Sequence, residues 1–365
     1  MTSLVGACVP DASSPHLSWV APSIQQAFAG KIQTKLGSLH SESIMLIMID
    51  GLGFRLLEQY RGHARNLWGI AKDTEPGYTC APSTTAAAIT TTLTGYLPGA
   101  TNMVGYSAFM EGRYFDLITF KQAPELVEGW QPMPTLAELL SADGVPTRAV
   151  LPDAYHNSGL THAALRGAEL IGAESPEERV GKLSRLLSVP GLTYGYWSEV
   201  DHAGHLYGVG SDHWIAALEE TDAQIGVLIR QAGENHRIII VADHGMVNAP
   251  VEQRIDLLDH PQLAENVITL AGEPRAVHVH TLPGAAASVR DIWAEYLDGK
   301  AWIPSFAELA NLQGGASSLQ GSFVAYAKDQ VTIVDSRCQS SAMIEMPGVH
   351  GSLTETEMQV PILVR

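Results

Sequence analysis

The most informative stretch of this 365-residue chain is an apolar run that stops at an acidic residue, Arg237-Ile238-Ile239-Ile240-Val241-Ala242-Asp243-His244-Gly245. Its β-branched and continuously apolar character predicts a strand that is buried on both faces. A second run, residues 44–49, has the same character and ends at Asp50-Gly51. Both runs therefore predict buried strands, each finishing at a carboxylate.

Similar segments alternate with helical patterns along the rest of the chain. Further strands are expected at residues 147–151 and 193–200, and helices at 135–141 and 212–231. This alternation predicts an α/β fold with a mostly parallel central sheet and helices on both faces. Ligands of such sheets bind beyond the carboxyl ends of the strands, where Asp50, Asp201 and Asp243 are expected.

No repeat and no Pro/Gly-rich linker divides the chain, which predicts a single catalytic domain over residues 1–365. The section from about 252 to 321 lacks the pattern of a strand followed by an aspartate. It contains a strand-like run at 275–280 and a helix-like run at 285–297. We expect this section to form a cap or an inserted subdomain.

Composition limits the partners and the compartment. The net charge of −17 argues against binding to a nucleic-acid duplex, so a phosphate-containing substrate would need local neutralisation by metal. No stretch reaches membrane-spanning length, and residues 1–8 lack the features of a secretory signal. Three widely spaced cysteines suit a reducing compartment. These features predict a cytoplasmic protein.

Two short clusters pair a carboxylate with an imidazole at metal-ligand spacing. Asp201 and His205 form the first, Asp243 and His244 form the second, and His350 lies near the C-terminus. Such ligands suit borderline divalent cations such as zinc, whereas oxygen-only sets suit magnesium or calcium. The remaining candidates lack matching partners and are interpreted as structural or surface residues: His202, His213, His278 and His280.

A candidate nucleophile lies in the segment from Ala81 to Gly95. Pro82 and Ser83 are helix-start signals, and Gly95 is a helix-end signal, so Thr84 and Thr85 are expected at the first turn. A hydroxyl there lies near unpaired backbone N–H groups and the positive end of the helix dipole. Thr85 could act as a metal-activated nucleophile or merely cap the helix.

Five motifs carry a resemblance to a known family. They are Ile49-Asp50-Gly51-Leu52-Gly53, Pro82-Ser83-Thr84-Thr85 with Thr94-Gly95, Asp201-x-x-Gly204-His205, Asp243-His244-Gly245-Met246 and Val349-His350-Gly351. In this order they resemble the type I phosphodiesterase/nucleotide pyrophosphatase family of the alkaline phosphatase superfamily. The resemblance spans residues 44–351 and implies an alkaline-phosphatase-like three-layer sandwich.

The resemblance also implies roles for individual residues. Thr85 would be the nucleophile, which attacks phosphorus in line and forms a covalent phospho-threonine intermediate. Two divalent metals are implied, most simply Zn²⁺, with Mn²⁺ or iron as alternatives. One metal would be held by Asp50, Thr85, Asp243 and His244, and the other by Asp201, His205 and His350.

This chain departs from the family pattern after the nucleophile. Better-known nucleotide pyrophosphatases are similar in this region but carry an asparagine that helps to bind phosphate, whereas Tyr106 stands here. A phenol offers one hydrogen-bond donor where an amide offers two. Tyr106 is therefore a candidate substrate contact, and Tyr155, His156 and Asn157, after a predicted strand, are additional candidates.

Several functions are compatible with the predicted site residues. The leading interpretation is hydrolysis of a small phosphodiester or of a nucleotide pyrophosphate bond, and a phosphonate hydrolase resembling phosphonoacetate hydrolase is the closest alternative. A phosphomonoesterase should place extra positive charge near the nucleophile, but Arg113 and Lys121 are the nearest cations beyond that segment. A sulfatase motif is similar around Cys80, although Thr84 occupies the position of its arginine. A non-catalytic metal-binding domain would require a broken ligand set. The sequence leaves the oligomeric state open.

Overall fold

The computed structural model describes residues 3–233 and 236–365. Met1 and Thr2, which begin the N-terminal segment discussed above, lie outside the described residues. The strands are β1 (Ser43–Ile49), β2 (Gly77–Tyr78), β3 (Ser107–Met110), β4 (Arg113–Asp116), β5 (Thr147–Leu151), β6 (Glu169–Gly172), β7 (Gly191–Trp197), β8 (Arg237–Val241), β9 (Val247–Asn248), β10 (Arg254–Asp256), β11 (Val267–Glu273), β12 (Ala276–Thr281), β13 (Ala301–Trp302), β14 (Phe323–Ala327), β15 (Thr332–Val334), β16 (Gly348–Val349), β17 (Gln359–Val360) and β18 (Ile362–Val364).

Helices fill most of the connections between these strands. They are α1 (Val20–Phe28), α2 (Phe54–Gln59), α3 (Arg65–Ala71), α4 (Thr85–Thr94), α5 (Pro98–Thr101), α6 (Val127–Trp130), α7 (Leu136–Ala142), α8 (Gly159–Leu165), α9 (Pro176–Leu186), α10 (Glu199–Tyr207), α11 (Asp212–Gln231), α12 (Pro261–Ala264), α13 (Ala286–Tyr296), α14 (Phe306–Gln313), α15 (Ser341–Ile344) and α16 (Glu355–Met358). In the described part of the chain, no helix has both the length and the apolar character needed to cross a membrane.

The central sheet has the strand order β18-β8-β1-β7-β5-β6. Its strands are parallel except for β18, which runs antiparallel to β8 at the edge. Every residue of β1 is buried, as its continuous apolar run predicts for a central parallel strand. The predicted α/β fold with a mostly parallel sheet is confirmed.

Register brings the ends of the three central strands to one edge of the sheet. Ile49 of β1 pairs with Trp197 of β7, and Met48 pairs with Val241 of β8. The carboxyl ends of these parallel strands therefore lie side by side. The expected strand over 193–200 is partly wrong, because β7 ends at Trp197 and α10 begins at Glu199. Asp201 consequently lies in the first turn of α10 and not directly after a strand.

A second, antiparallel sheet has the order β11-β12-β14-β13. It packs with α13 around a separate apolar cluster that includes Val277, Val279 and Trp293. Most of this sheet lies in the section expected to form a cap or an inserted subdomain, 252–321, but β14 follows that section. The division of the chain into a catalytic domain and a subdomain remains a prediction.

Local sequence signals account for the helix boundaries. Helix α11 covers 212–231 as predicted, and α7 begins one residue later than predicted because Thr135 forms a capping box with Glu138. Helix α4 ends where Gly95 adopts a φ of 81°, a conformation that glycine reaches without steric cost. Strand β12 and helix α13 lie within one residue of the expected bounds.

Candidate metal centre and active site

The seven residues expected to bind metal converge at the carboxyl edge of the central sheet. Asp50 follows β1, Asp243 and His244 follow β8, and α10 carries Asp201 and His205 one helical turn apart. His350 follows β16, and Thr85 is the first residue of α4. All seven therefore come from loops and helix ends beside the central strands, at the edge where open α/β sheets bind ligands.

Gly51 allows β1 and α10 to approach each other closely. Its φ is 74°, and a Cβ atom at this position would lie 2.9 Å from the Cα of Asp201. Any larger residue would therefore be strained and would push α10 away from the sheet. The Asp-Gly pair after β1 thus has two roles, since one residue supplies a carboxylate and the next admits Asp201.

Backbone carbonyls orient the three histidines in the same way. Nδ1 of His205 lies 2.8 Å from the carbonyl of Gly348, and Nδ1 of His350 lies 3.0 Å from the carbonyl of Ser83. Nδ1 of His244 lies 3.1 Å from the carbonyl of Gly245. A carbonyl can only accept, so each Nδ1 must donate and each neutral ring presents the lone pair of Nε2. This is the arrangement of metal-binding histidines.

Each of the three candidate carboxylate ligands has one buried oxygen without a hydrogen-bond partner. Oδ1 of Asp243 accepts from the backbone N–H groups of Gly51 and His244, at 3.0 and 2.9 Å. The other oxygen of that carboxylate, Oδ2, is buried without a hydrogen-bond partner, as are Oδ1 of Asp50 and Oδ1 of Asp201. Buried polar atoms normally have partners, so three orphaned oxygens in one place fit a site that binds cations.

The orphaned oxygens and the imidazoles form two overlapping groups. Ligand atoms of Asp50, Asp243 and His244 lie within 4.8 Å of one another, and so do those of Asp201, His244 and His350. Nε2 of His205 lies 3.3 Å from Oδ2 of Asp201, at the outer side of the second group. Each group contains members of one expected site, but His244 belongs to both groups and His205 to neither. The ring of His244 stacks on that of His350, with 3.6 Å between centroids.

The pKa shifts of the candidate ligands favour the binding of cations at this site. Burial, together with the neighbouring Asp243 and Asp201, raises the pKa of Asp50 well above its ordinary value, and burial also raises the pKa of Asp243. Burial and the adjacent histidines His244 and His205 lower the pKa of His350 well below its ordinary value. Each shift reflects a charge that is costly without a counter-ion. A divalent cation would remove that cost for the carboxylates.

Thr85 occupies the position expected of a nucleophile. Its Oγ1 lies 3.2 Å from Nε2 of His244. Thr84 is the N-cap residue of α4, but its side chain makes no capping hydrogen bond. The loop before the helix is tied down where the Ser83 hydroxyl donates to the carbonyl of Ser352 at 2.7 Å. Thr85 thus lies at the positive end of a ten-residue helix and beside the metal ligands.

Cys80 does not fit the role that a sulfatase would require. Its thiol is buried, and its Sγ lies 3.6 Å from the carbonyl oxygen of Pro82. Burial raises the pKa of Cys80 to about 12, so the thiol stays protonated and unreactive at neutral pH. Thr85, not Cys80, is therefore the hydroxyl or thiol that meets the ligand cluster.

A cavity of about 240 Å³ opens beside Thr85, and both polar and apolar residues line it. Its polar lining includes Asp50, Asp201, His205 and His350. Its apolar lining consists mainly of Ile89, Ile118, Leu151, Leu160, Ala164, Leu165 and Tyr194. Tyr106 and Tyr155, both expected as substrate contacts, also line this cavity. Among the described residues that line it, none is a lysine or an arginine.

Two residues at the site were not anticipated from the sequence. Tyr196 lines the cavity and donates its hydroxyl proton to Asp50, and the alternation of Tyr194 and Tyr196 along a strand is a signal that could have indicated it. Glu273, at the end of β11, accepts a hydrogen bond of 2.6 Å from the backbone N–H of Tyr106. No local signal marks Glu273, because it reaches the site from the second sheet.

Glu273 should make stability depend on pH. Burial raises its pKa from 4.5 to about 8, so the folded chain keeps this proton at pH values where the unfolded chain releases it. Stability is therefore lost as the pH rises from 4.5 towards 8. We expect Glu273→Gln to stabilise the metal-free protein by about 2 to 5 kcal/mol at pH 9 and by less than about 1 kcal/mol at pH 5. Urea unfolding in the presence of a chelator measures both values.

The exposed Glu265 provides the control for this prediction. Glu265→Gln should change the unfolding free energy by less than about 0.5 kcal/mol at either pH, as is usual for exposed sites. An equal effect of Glu273→Gln at pH 5 and pH 9 would contradict the assignment of this titration to Glu273.

Comparisons with known proteins give the family of this chain and solved structures that are similar to it. The model of the type I phosphodiesterase/nucleotide pyrophosphatase family matches residues 44–353. Murine ectonucleotide pyrophosphatase/phosphodiesterase 5 is a similar solved structure, with a TM-score of 0.69 and 19% identity over 88% of this chain and 87% of that chain. An inactive threonine-to-alanine variant of the murine protein, in complex with AMP, has a TM-score of 0.68 and 18% identity over 88% of this chain and 87% of that chain.

A bacterial structure is almost equally similar. Phosphonoacetate hydrolase from Sinorhizobium meliloti 1021, in complex with phosphonoformate, has a TM-score of 0.68 and 16% identity over 88% of this chain and 89% of that chain. No curated protein sequence gives a significant match. The structural likeness establishes an alkaline-phosphatase-like fold, and the family match covers most of the chain. This chain therefore belongs to the metal-dependent type I phosphodiesterase/nucleotide pyrophosphatase family, and it is a phosphoric ester hydrolase of that type.

Proposed function

We propose that this chain hydrolyses small phosphodiesters or nucleotide pyrophosphate bonds through a phospho-threonine on Thr85, with two divalent metals. One observation carries the proposal. Three carboxylate oxygens without hydrogen-bond partners belong to the candidate ligand groups, the hydroxyl of Thr85 lies 3.2 Å from Nε2 of His244, and Thr85 lines a partly apolar cavity together with Asp50, Asp201 and His350. Structural metal sites are closed, whereas this cluster faces a cavity, as catalytic sites do.

The donor set supports the identity and the placement of the metals. Asp50, Asp243 and His244, with Thr85, would hold one ion, and Asp201, His205 and His350 would hold the other. Mixed carboxylate and imidazole donors favour Zn²⁺, with Mn²⁺ or iron as alternatives. Bound ions would supply Lewis acidity, which lowers the pKa of the Thr85 hydroxyl and offsets negative charge on the phosphoryl oxygens.

The residues of the chain then define the reaction. The Thr85 oxygen attacks phosphorus while the bond to the leaving group breaks on the opposite side, which leaves a phosphoryl ester on Thr85. Water subsequently cleaves the bond between phosphorus and the Thr85 oxygen, which restores the hydroxyl and releases a phosphomonoester. The N–H groups of the first turn of α4 lack partners within the helix and favour a bound phosphoryl group.

The charge of the cavity favours a diester over the alternatives. A phosphomonoester carries an additional anionic oxygen, and phosphonoacetate carries a carboxylate, so both call for an additional cation. Lysine and arginine are missing from the described residues that line the cavity, and much of its lining is apolar. A diester with an uncharged substituent can place that substituent against the apolar residues without an unpaired charge.

The similar structures support both the leading function and one alternative. The murine neighbour binds AMP, and its inactive variant lacks a threonine, which supports a nucleotide product and a threonine nucleophile here. The bacterial neighbour is a phosphonoacetate hydrolase bound to a phosphonate. Phosphonate hydrolysis is therefore the second candidate function, favoured by the almost equal structural similarity.

A substrate panel tests the proposal. We expect the zinc-loaded protein to cleave bis-p-nitrophenyl phosphate with a kcat/KM at least about tenfold higher than for p-nitrophenyl phosphate or phosphonoacetate, because the cavity lacks a cation for their additional charge. Initial rates measure the three values. Preference for phosphonoacetate would replace the diester proposal with the phosphonate one, and absence of all three activities would refute both.

We also propose that Tyr106 contacts the substrate. It lines the cavity, and its side chain is 36% exposed. The same panel with Tyr106→Phe should show a higher KM or a lower kcat, and unchanged kinetics would make Tyr106 a packing residue. A cytoplasmic location remains a prediction; its support is that the described cysteines Cys8, Cys80 and Cys338 are free.

A further inference from the structure

Tyr196 forms a hydrogen bond to Asp50, one of the proposed metal ligands. Its hydroxyl donates to Oδ2 of Asp50, while Oδ1 of Asp50 has no hydrogen-bond partner and lies 3.3 Å from Nε2 of His244. The two oxygens of this buried carboxylate are therefore distinct. One is held by the protein, and the other faces the group formed with Asp243 and His244.

We propose that Tyr196 is a positioning residue that fixes Asp50 as a ligand through Oδ1 alone. This inference rests on the proposed function, because it assumes a metal at Asp50, Asp243 and His244. Without the phenol, the carboxylate could rotate about its terminal bond, which has a broad torsional minimum, and lose the orientation of Oδ1. Residues that orient ligands in this way commonly change metal affinity by 10- to 100-fold.

The surroundings hold the phenol in place. The ring of Tyr155 packs against that of Tyr196 in an edge-on geometry, with 5.8 Å between centroids and 74° between planes. The Tyr155 hydroxyl lies 3.4 Å from Oγ of Ser198, which ties the second ring to the end of β7. Edge-on aromatic pairs of this kind are favourable beyond their apolar contact. The donor to Asp50 is thus set before any metal binds.

Tyr194 offers a matched control on the same strand. It lies two residues before Tyr196, lines the same cavity and is also a phenol of β7, buried where Tyr196 is partly buried. In the described part of the chain, its hydroxyl donates no hydrogen bond to Asp50 or to another proposed ligand. Tyr194→Phe and Tyr196→Phe therefore delete the same atom from neighbouring positions, and only the second deletion releases a ligand.

Zinc affinity provides the test, because it does not depend on turnover. The metal-free protein is titrated with Zn²⁺ in competition with a chromophoric chelator. We expect Tyr196→Phe to weaken one of the two zinc equivalents by 10- to 100-fold, and Tyr194→Phe to change neither by more than about twofold. The absorption of bound Co²⁺ should change in Tyr196→Phe and stay as in the wild type in Tyr194→Phe. Wild-type affinity and spectrum in Tyr196→Phe would overturn the proposal.

Two further variants keep the outcome interpretable. If Tyr196→Phe does not fold, Tyr155→Leu removes the packing of the Tyr196 ring and leaves its hydroxyl in the chain. This variant should lose several-fold in affinity for the same equivalent, and unchanged affinity would overturn the proposal. Asp50→Asn tests the metal site itself. If it binds two zinc equivalents like the wild type, the proposed function fails as well; if it loses one while Tyr196→Phe loses none, only this inference fails.

Discussion

Turnover is expected to fall by at least about a thousandfold when Thr85 is replaced by alanine, with the protein still binding close to two metal equivalents. Removal of a nucleophile leaves only the contributions of binding and charge stabilisation, and losses of this size or larger are typical. Metal should persist because Asp50, Asp243 and His244 are fully buried around their position and do not depend on Thr85 for their orientation. Rates on bis-p-nitrophenyl phosphate and metal analysis of the same preparation test both parts.

Thr84 provides the matched control for this experiment. It precedes Thr85 and is buried, and its side chain makes no capping hydrogen bond. Thr84→Ala deletes a hydroxyl at the same helix end and should keep kcat/KM within about tenfold of the wild type. A covalent intermediate predicts a second result, since acid quenching during turnover of bis-p-nitrophenyl phosphate should trap a p-nitrophenyl phosphoryl group on the wild type and not on Thr85→Ala. Near-wild-type turnover of Thr85→Ala would refute the nucleophile assignment.

Replacement of Asp201 by alanine is expected to reduce bound metal from two equivalents towards one and to lower kcat/KM by at least about a hundredfold. Asp201 contributes an orphaned oxygen, and its carboxylate lies 3.3 Å from Nε2 of His205 and 3.8 Å from Nε2 of His350. Its removal leaves the second group with neutral imidazoles alone, which offer lone pairs but no negative charge to balance that of the cation. Metal analysis after equilibrium dialysis, combined with initial rates, measures the effect.

His213 supplies the control for this second prediction. It is exposed at the start of α11, and its ring packs on that of Tyr207 at 4.1 Å between centroids. His213→Ala should retain two metal equivalents and full activity. Two equivalents retained by Asp201→Ala would disprove its role as a ligand, while loss of both would show that the two positions fill only together.

Local patterns made the central sheet predictable. The runs at 44–49 and 237–242 are apolar because both faces of β1 and β8 are covered. Both strands could therefore be predicted from the apolar residues alone. Helix signals were equally local, as the capping box at Thr135 and the glycine at Gly95 show. The predicted end of a strand was wrong where a helix begins almost directly after it, as in the segment before Asp201.

The candidate ligands were also recognisable from the sequence, because each lies in a compact motif and the motifs occur in a family order. The sequence did not show which of these ligands lie together in each group. The stacking of His244 on His350 places one imidazole in both groups, and it depends on how the loop after β16 returns to the sheet. No spacing within the chain encodes that contact, since more than a hundred residues separate the two histidines.

The sequence by itself determined the fold class, the family and the identity of the metal-binding residue types, because these depend on local apolar patterning and on short motifs. Only the tertiary structure decided which oxygens are orphaned, which carbonyls orient the histidines, and how Tyr196 and Glu273 reach the site. It also decided the apolar lining of the cavity, which combines side chains from α4, α8, β5 and β7. These features arise from contacts between segments distant in sequence, and such contacts leave no periodic signal in the chain.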